Sequence, residues 1–241
     1  MKLFKGKRFT PYTTTFRGNT LHIHDHASFR LGRKELFREE VYKFISSKTA
    51  PFIVDCGSNI GMSILYFKSL YPDAKIIGFE ADPYIFSFLE KNIQSYSLKN
   101  VAVFNRAIWD ADDETLSFLA EGGAGGRLQE RSEQFNYIDV KTTRLKNYLV
   151  EETDFLKIDI EGAEHKVIAD CADELRFVKN LFIEYHSMEN RMQNLHLILD
   201  MIYKAGFRYH IKEAYTTRFP FIERRLNVGM DLQLNIFCYR P

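Results

Sequence analysis

From Pro51 onward, short apolar runs alternate with stretches of helical periodicity. The runs are "FIVD" (52–55), "KIIGFE" (75–80), "VAVFN" (101–105), "FLKIDI" (155–160) and "LFIEYH" (181–186). Their nearly continuous, β-branched character predicts strands covered on both faces, as in a parallel sheet. Helices are predicted between them, over 61–70, 83–95, 163–170 and 190–205, so the chain reads as right-handed βαβ units in a doubly wound α/β fold. Near the end, "FRYHIKEA" (207–214) and "QLNIFCYR" (233–240) have no helical pattern between them, which predicts an antiparallel pair. "ETLSFLA" (114–120) and "YIDVKT" (137–142) flank a Gly-rich stretch and predict a hairpin-like excursion.

The first 50 residues follow another pattern. "FRGNTLHIHDHASFR" predicts a small β element around Gly18-Asn19. "GRKELFREEVYKFISS" predicts an amphipathic helix over 32–47, with Leu36, Phe37, Val41, Phe44 and Ile45 on one face. Residues 1–50 are therefore expected to form an extension packed on a domain of residues 51–241. His22, His24 and His26 would share one strand face, a spacing that suits a metal, but a solvated hairpin face is the plainer account.

Composition narrows the class. With 241 residues, 45% hydrophobic, 21 Phe and 13 Tyr, one α/β domain with a substantial core is expected. A net charge of +1 gives no field for gripping nucleic acid or an anionic membrane. Cys56, Cys171 and Cys238 are odd in number and far apart, so neither a disulfide framework nor a zinc motif is expected. The start of the chain lacks an apolar signal core, and no 18-residue apolar run occurs. A soluble, cytoplasmic protein without a membrane span is the expectation.

The candidate chemistry begins at "PFIVDCGSNIGMS" (51–63). A phosphate loop would need Lys-Ser/Thr after its second glycine, whereas Gly61 is followed by Met62 and Ser63. A dinucleotide fingerprint needs Gly-x-Gly-x-x-Gly, whereas this turn is Gly57-x-x-x-Gly61 with Asp55 just before it. A carboxylate there suits a ligand with cationic groups. Glu80 closes the next strand, where it can accept both hydroxyls of a ribose. Ribose with a positively charged, phosphate-free remainder describes S-adenosylmethionine.

"VDCGSNIGMS", "FEADP", "NRAIWD", "LKIDIEGAEHKVI" and "EYH", in this order, resemble the FkbM-type S-adenosylmethionine-dependent methyltransferases over roughly 40–240. The resemblance implies the class I methyltransferase fold, a Rossmann-like doubly wound seven-stranded sheet whose last strand is antiparallel and lies beside the sixth. It also implies O-methylation of a hydroxyl on a sugar or sugar-like small molecule. Carried over by position, Asp55, Gly57, Asn59 and Gly61 would line the methionine part of the cofactor, and Glu80 would hold the ribose. Ala81 and Asp82 would border the adenine, with Asn105, Arg106 and Ala107 closing its other side, and Asp159 would face the sulfonium. "ADPY" (81–84) invites comparison with the Asn/Asp-Pro-Pro-Tyr motif of amino-group methyltransferases, but that motif belongs after the fourth strand.

Asp159, Glu161, Glu184 and His186 end the fourth and fifth strands, at the edge where open α/β sheets bind ligands. Glu161 has the alternative of complementing a helix dipole, Lys157 of pairing with one of the acids, and His186 of being structural. An alcohol needs help losing its proton, and an imidazole is better matched to this at neutral pH than an aspartate. His186 is therefore the expected base, with Asp159 and Glu161 as the other catalytic candidates. No metal is expected, although class I relatives acting on catechols use magnesium. The Gly122–Gly126 tip and the N-terminal extension are expected to cover the acceptor. The rival readings are methylation of an amine or a protein side chain, a nicotinamide-dependent oxidoreductase, and a cofactor-binding module without catalysis.

Overall fold

The computed structural model describes residues 8–119, 127–128, 137–215, 217–223 and 229–240. The chain opens with a hairpin of β1 (Tyr12–Phe16) and β2 (Asn19–Ile23), turned through Arg17 and Gly18, both at positive φ. That pair of conformations gives the tight turn whose twist matches the strands. Helix α1 (His26–Phe37) follows, capped by Asp25, whose carboxylate accepts from the Ser28 N–H (3.0 Å) and hydroxyl (2.9 Å).

This corrects two expectations. The amphipathic segment is helical over 26–37 rather than 32–47, and Glu40 at φ 52° carries the chain out of the helix. Beyond it Tyr42 and Phe44 alternate inward, with the Tyr42 ring 4.7 Å from Phe182 and Phe44 4.9 Å from Phe155, while Ile45 is 93% exposed. Extended chain puts both rings on one side, which a helix would not. The three histidines also fail to share a strand face. β2 stops at Ile23, His24 is buried, and His26 begins the helix.

The main body runs β3 (Phe52–Cys56), α2 (Met62–Leu70), β4 (Lys75–Phe79), α3 (Pro83–Ser95) and β5 (Val101–Phe104). A side excursion follows, made of β6 (Ala107–Trp109), β7 (Thr115–Leu119), β8 (Arg127–Leu128) and β9 (Tyr137–Arg144). The chain then returns as β10 (Thr153–Ile158), α4 (Glu164–Asp170), β11 (Val178–Met188), α5 (Leu195–Lys204), β12 (Arg208–Tyr215) and β13 (Met230–Tyr239). The seven-stranded sheet has the order β12-β13-β11-β10-β3-β4-β5. Its pairs from β11 to β5 are parallel, and β13 runs antiparallel between β11 and β12. The expected excursion is present as an antiparallel β7–β9 pair, to which β6 adds in parallel. The Gly122–Gly126 tip lies outside the described residues.

Strand alternation divides the core. Val54, Leu156 and Ile183 face α4 and α5, whereas Ile53, Phe155 and Phe182 face α2, α3 and the N-terminal segment. Burying a side chain of this size is worth about 1.5–3 kcal/mol. The three cysteines are free and buried. Among the described residues, no helix is long and apolar enough to cross a membrane.

Polar staples fix the N-terminal segment to the sheet layer. Asn92 of α3 accepts the His22 N–H (2.7 Å) and donates to the carbonyls of His22 (3.0 Å) and Ile60 (2.8 Å). Asp154 of β10 accepts from the Ser46 hydroxyl, the Lys48 ammonium and the Phe52 N–H. Asn92→Ala would strand the buried groups it satisfies and is expected to cost about 2–4 kcal/mol. Urea denaturation measures this, and a loss below about 0.5 kcal/mol would show the staple to be dispensable.

Candidate active site

The carboxyl ends of β11, β10, β3, β4 and β5 stand side by side, and each delivers polar groups to one cleft. Strands sit about 4.8 Å apart, so the row from Glu184 to Glu80 spans roughly 14 Å. The glycine turn after β3 occupies its middle. Gly57 lies at φ 89°, and a Cβ there would fall 1.9 Å from the Asp159 carbonyl oxygen, so only glycine lets these two backbones meet. The Gly57 and Ser58 N–H groups donate to the Phe79 carbonyl (3.0 and 2.8 Å), which ties the turn to β4.

Lys157 lies beneath the turn, 2% exposed. Its ammonium is 3.2 Å from Asp159 and 3.4 Å from Asp55, and it donates to the carbonyls of Gly57 (2.8 Å) and Cys56 (3.3 Å). Burial alone would lower its pKa, but Asp159 and Asp55 hold it well above the usual lysine value. Asp55 is fully buried, takes a 2.5 Å hydrogen bond from the Ser63 hydroxyl, and is not on the cleft wall. It is thus a support for the turn, where the sequence had suggested a ligand contact.

Of the other expected cofactor residues, Gly57, Asn59, Glu80, Ala81, Asp82, Arg106, Ala107 and Asp159 line the cleft. Gly61 and Asn105 do not. Gly61 starts α2 at φ 89°, and Asn105 donates its amide to the carbonyls of Glu80 and Ala81 (both 2.9 Å), steadying the segment that carries the acid. Glu80 accepts the Asn59 N–H on one oxygen and the Asp82 N–H on the other (both 2.9 Å). Burial pushes its carboxyl up to about 7 despite these bonds.

The opposite end gathers Glu35 of α1, Asp159, Glu161 and Glu184 on the same wall. Burial pushes Glu161 up to about 8 and Glu184 to about 7, with neighbouring acids adding to both. Glu35 rises to about 7 through burial and the charge of Asp159. Glu161 sits at φ 56° and Gly162 at φ 98°, in a turn that brings Asp159, Glu161 and Glu164 to one place. The turn ends before α4 begins, so Glu161 faces the cleft instead of complementing the helix.

His186 is 4% exposed and lies behind this wall. Its Nδ1 meets Glu164 Oε1 at 2.9 Å, and its Nε2 lies 3.5 Å from Glu161, 3.8 Å from Glu184 and 4.0 Å from Asp159. Burial would lower the imidazole pKa, but Glu161, Glu164 and Glu184 together raise it well above the ordinary value. A ring so placed does not face an acceptor as a free neutral base, which corrects the role expected for it. Glu35, Tyr42, Tyr215 and Gln233 line the cleft without having been expected there. Glu35 shares a helical face with Ser28, Leu31 and Gly32, which also line the cleft, a signal that becomes readable only once α1 is placed at 26–37.

The sign of the Glu80 shift gives a testable pH dependence. A raised carboxyl pKa means the folded state keeps its proton longer than the unfolded chain. That stabilisation is complete below about pH 4.5 and is lost as pH rises through about 7. Between pH 5 and 8 the cofactor-free protein should lose about 2–3 kcal/mol from this group. Urea melts of Glu80→Gln should show that part of the slope removed, and slopes equal to wild type would contradict the assignment.

Comparison with known proteins now bears on this geometry. The family model "Methyltransferase FkbM domain" matches residues 55–209, which take in the glycine turn, Glu80 and the ends of β10 and β11. Over 165 residues the chain is 28% identical to Methyltransferase 1 of Beauveria bassiana, covering 58% of this chain and 66% of that protein. Over 178 residues it is 28% identical to the 2-O-methyltransferase NoeI of Sinorhizobium fredii, covering 64% and 72%. The crystal structure of methyltransferase FkbM from Methylobacillus flagellatus is similar with a TM-score of 0.55 at 15% identity, over 85% of this chain, and speaks for the fold. The chain spans 47% of that protein and just under two thirds of the Beauveria one. The chain belongs to the FkbM family of methyltransferase domains, whose methyl donor is S-adenosylmethionine.

Proposed function

We propose that the chain methylates a hydroxyl of a sugar-like small molecule. The observation that carries this reading is the row of groups across one cleft, with a diol acceptor, Glu80, at one end and ionisable carboxylates at the other. The cofactor fits that row by its chemistry. Glu80 keeps lone pairs beyond its two backbone bonds for the ribose hydroxyls. Ala81, Asp82, Arg106 and Ala107 flank the base, and the backbone of Gly57–Asn59 runs beside the amino-acid part. When bound, S-adenosylmethionine supplies an electrophilic methyl group on a positively charged sulfur.

The residues of the chain then have three tasks. Asp159, held by Lys157, offers negative charge near the sulfur. Glu161, in its ionised form, accepts the proton of the attacking hydroxyl. Phe29, Leu36 and Tyr42 close the cleft from the N-terminal side and exclude water. Holding acceptor oxygen, methyl carbon and sulfur in line supplies several kcal/mol of the barrier reduction, up to about 7–11 in well-oriented systems. A hydroxyl is favoured over an amine because clustered carboxylates hold an amine protonated and without a nucleophilic lone pair. The relative NoeI is named a 2-O-methyltransferase, in keeping with this choice.

Titration calorimetry with S-adenosylmethionine, its demethylated product and NAD tests the cofactor assignment. Glu80→Ala is expected to weaken S-adenosylmethionine by about 10- to 150-fold, and unchanged affinity would remove Glu80 from the site. A methyl-transfer screen against sugars and glycolipids tests the acceptor, with an ether product expected. A product methylated on nitrogen would overturn the hydroxyl reading. Glu161→Gln should lower turnover by about 10²–10⁴-fold with cofactor affinity little changed. Near-normal turnover in that variant would exclude Glu161 as the base.

A further inference from the structure

We propose that the acidic end of the cleft binds a divalent metal ion between His186, Asp159 and Glu184, and that this ion holds the hydroxyl to be methylated. The role given to the ion rests on the methyl-transfer reading above, whereas the site itself rests on side-chain geometry. His186 is enclosed, and its Nδ1 faces Glu164 Oε1, which also accepts the Gly162 N–H (both 2.9 Å). A carboxylate oxygen can only accept there, so Nδ1 carries a hydrogen, while Nε2 is turned toward the three acids on the cleft wall and an ion bound to it takes the place of the proton those acids favour there.

Three carboxylates surround that nitrogen without bonding to it. Glu161 Oε2 is 3.5 Å away, Glu184 Oε1 3.8 Å and Asp159 Oδ1 4.0 Å. Hydrogen bonds between such groups close to about 2.7–2.9 Å. The Gln233 amide donates to Glu184 and, with the hydrogen on Nδ1, makes a long 3.4 Å hydrogen bond to Nε2, which an ion at this place would displace. Glu161 Oε2 is shut away from solvent and has no hydrogen-bond partner among the described residues. The ligating atoms of Asp159, Glu184 and His186 all lie within 4.8 Å of one another. Two donors about 2.1 Å from one ion stand about 3.4 Å apart at a tetrahedral angle and at most about 4.2 Å apart, so the 3.8 and 4.0 Å pairs are within reach of one ion, and small side-chain shifts would bring the set onto it.

The supporting shell points the same way. A metal-binding imidazole typically gives its other N–H to a carboxylate, which fixes the ring and raises its basicity. Glu164 stands in that position toward His186. One nitrogen with carboxylate oxygens suits a first-row divalent ion. An ammonium group on a substrate would answer the same negative charge, but it gives no reason for an imidazole nitrogen held toward the gap. This proposal departs from the metal-free site expected from the sequence.

In the step that follows, the hydroxyl oxygen binds the ion and its proton passes to Glu161. The O–CH3 bond forms as the S–CH3 bond breaks, and that bond's electron pair stays on sulfur. The products are a methyl ether and S-adenosylhomocysteine, and Glu161 returns its proton to water. An ion at this place lowers the pKa of the bound hydroxyl and offsets the crowded carboxylates.

The test uses the full chain, stripped with EDTA and titrated with Mn2+, with bound ion read from the loss of the free Mn2+ signal in electron paramagnetic resonance. About one ion per chain is expected, and its spin-echo spectrum should show coupling to an imidazole nitrogen. Glu164→Gln, which alters a positioning residue, should weaken Mn2+ by about 10- to 100-fold, and His186→Asn should abolish the nitrogen coupling. If these variants do not fold by circular dichroism, the wild-type coupling alone decides. No binding at millimolar Mn2+, bound Mn2+ without nitrogen coupling, or an alkylammonium taken up in place of Mn2+ would overturn the site. Sugar methylation at full rate in the stripped enzyme would remove the ion's role and leave the methyltransferase reading intact. Nitrogen-coupled Mn2+ without any ether product would keep the site and remove the sugar-hydroxyl reading.

Discussion

Lys157 is the charge around which the site is built. An ammonium taken out of water costs several kcal/mol unless its partners are well placed. Here the partners come from two strands and the turn between them, namely Asp55 on β3, Asp159 after β10, and the carbonyls of Cys56 and Gly57. The same contacts hold the two strand ends in register and draw the glycine turn down against Asp159. They also fix Asp159 at the head of the acidic wall. Without that cation, Asp55 would be a buried, uncompensated carboxylate and the turn would lose its floor. Sheet, turn and acidic end therefore share one dependence.

The two ends of the cleft differ in how completely they are satisfied. Glu80 is held by two backbone N–H groups and braced by the Asn105 amide beneath its own chain. Its geometry is complete before any ligand arrives, as preorganised recognition requires. At the other end Glu161 keeps an unmatched oxygen, and the acids repel each other in partial burial. Such an arrangement is stable only in company with Lys157 and His186, and it is at its best when a positive group enters.

Much of the sheet was legible because parallel strands leave continuous apolar runs, and their pairing follows from helices that have to cover both faces. The glycine turn and Glu80 were legible for a related reason, since each sits where a strand must stop. The N-terminal helix was misjudged because Tyr42 and Phe44 match a helical face by hydrophobicity alone, and only Phe155 and Phe182 reveal that they insert from an extended chain. Asp55 was misjudged because its partner, Lys157, stands opposite it on a neighbouring strand about a hundred residues later. His186 was placed at the right edge but at the wrong depth. The turn carrying Glu161 and Glu164 closes over it, and no local pattern announces that turn beyond Gly162.

The N-terminal wall of the cleft has a consequence for how the protein is made. His22 depends on Asn92, 70 residues on, and Ser46 and Lys48 depend on Asp154, 108 and 106 residues on. Contacts of such span come late in folding, because the intervening chain must first be ordered. During synthesis, Tyr42 and Phe44 wait without Phe155 and Phe182, which help to bury them, until β10 and β11 have left the ribosome. Wall, glycine turn and acidic end are then completed together. A nascent chain halted before Asp154 carries exposed aromatic surface and no cleft, which makes that interval the one in which a chaperone has something to hold.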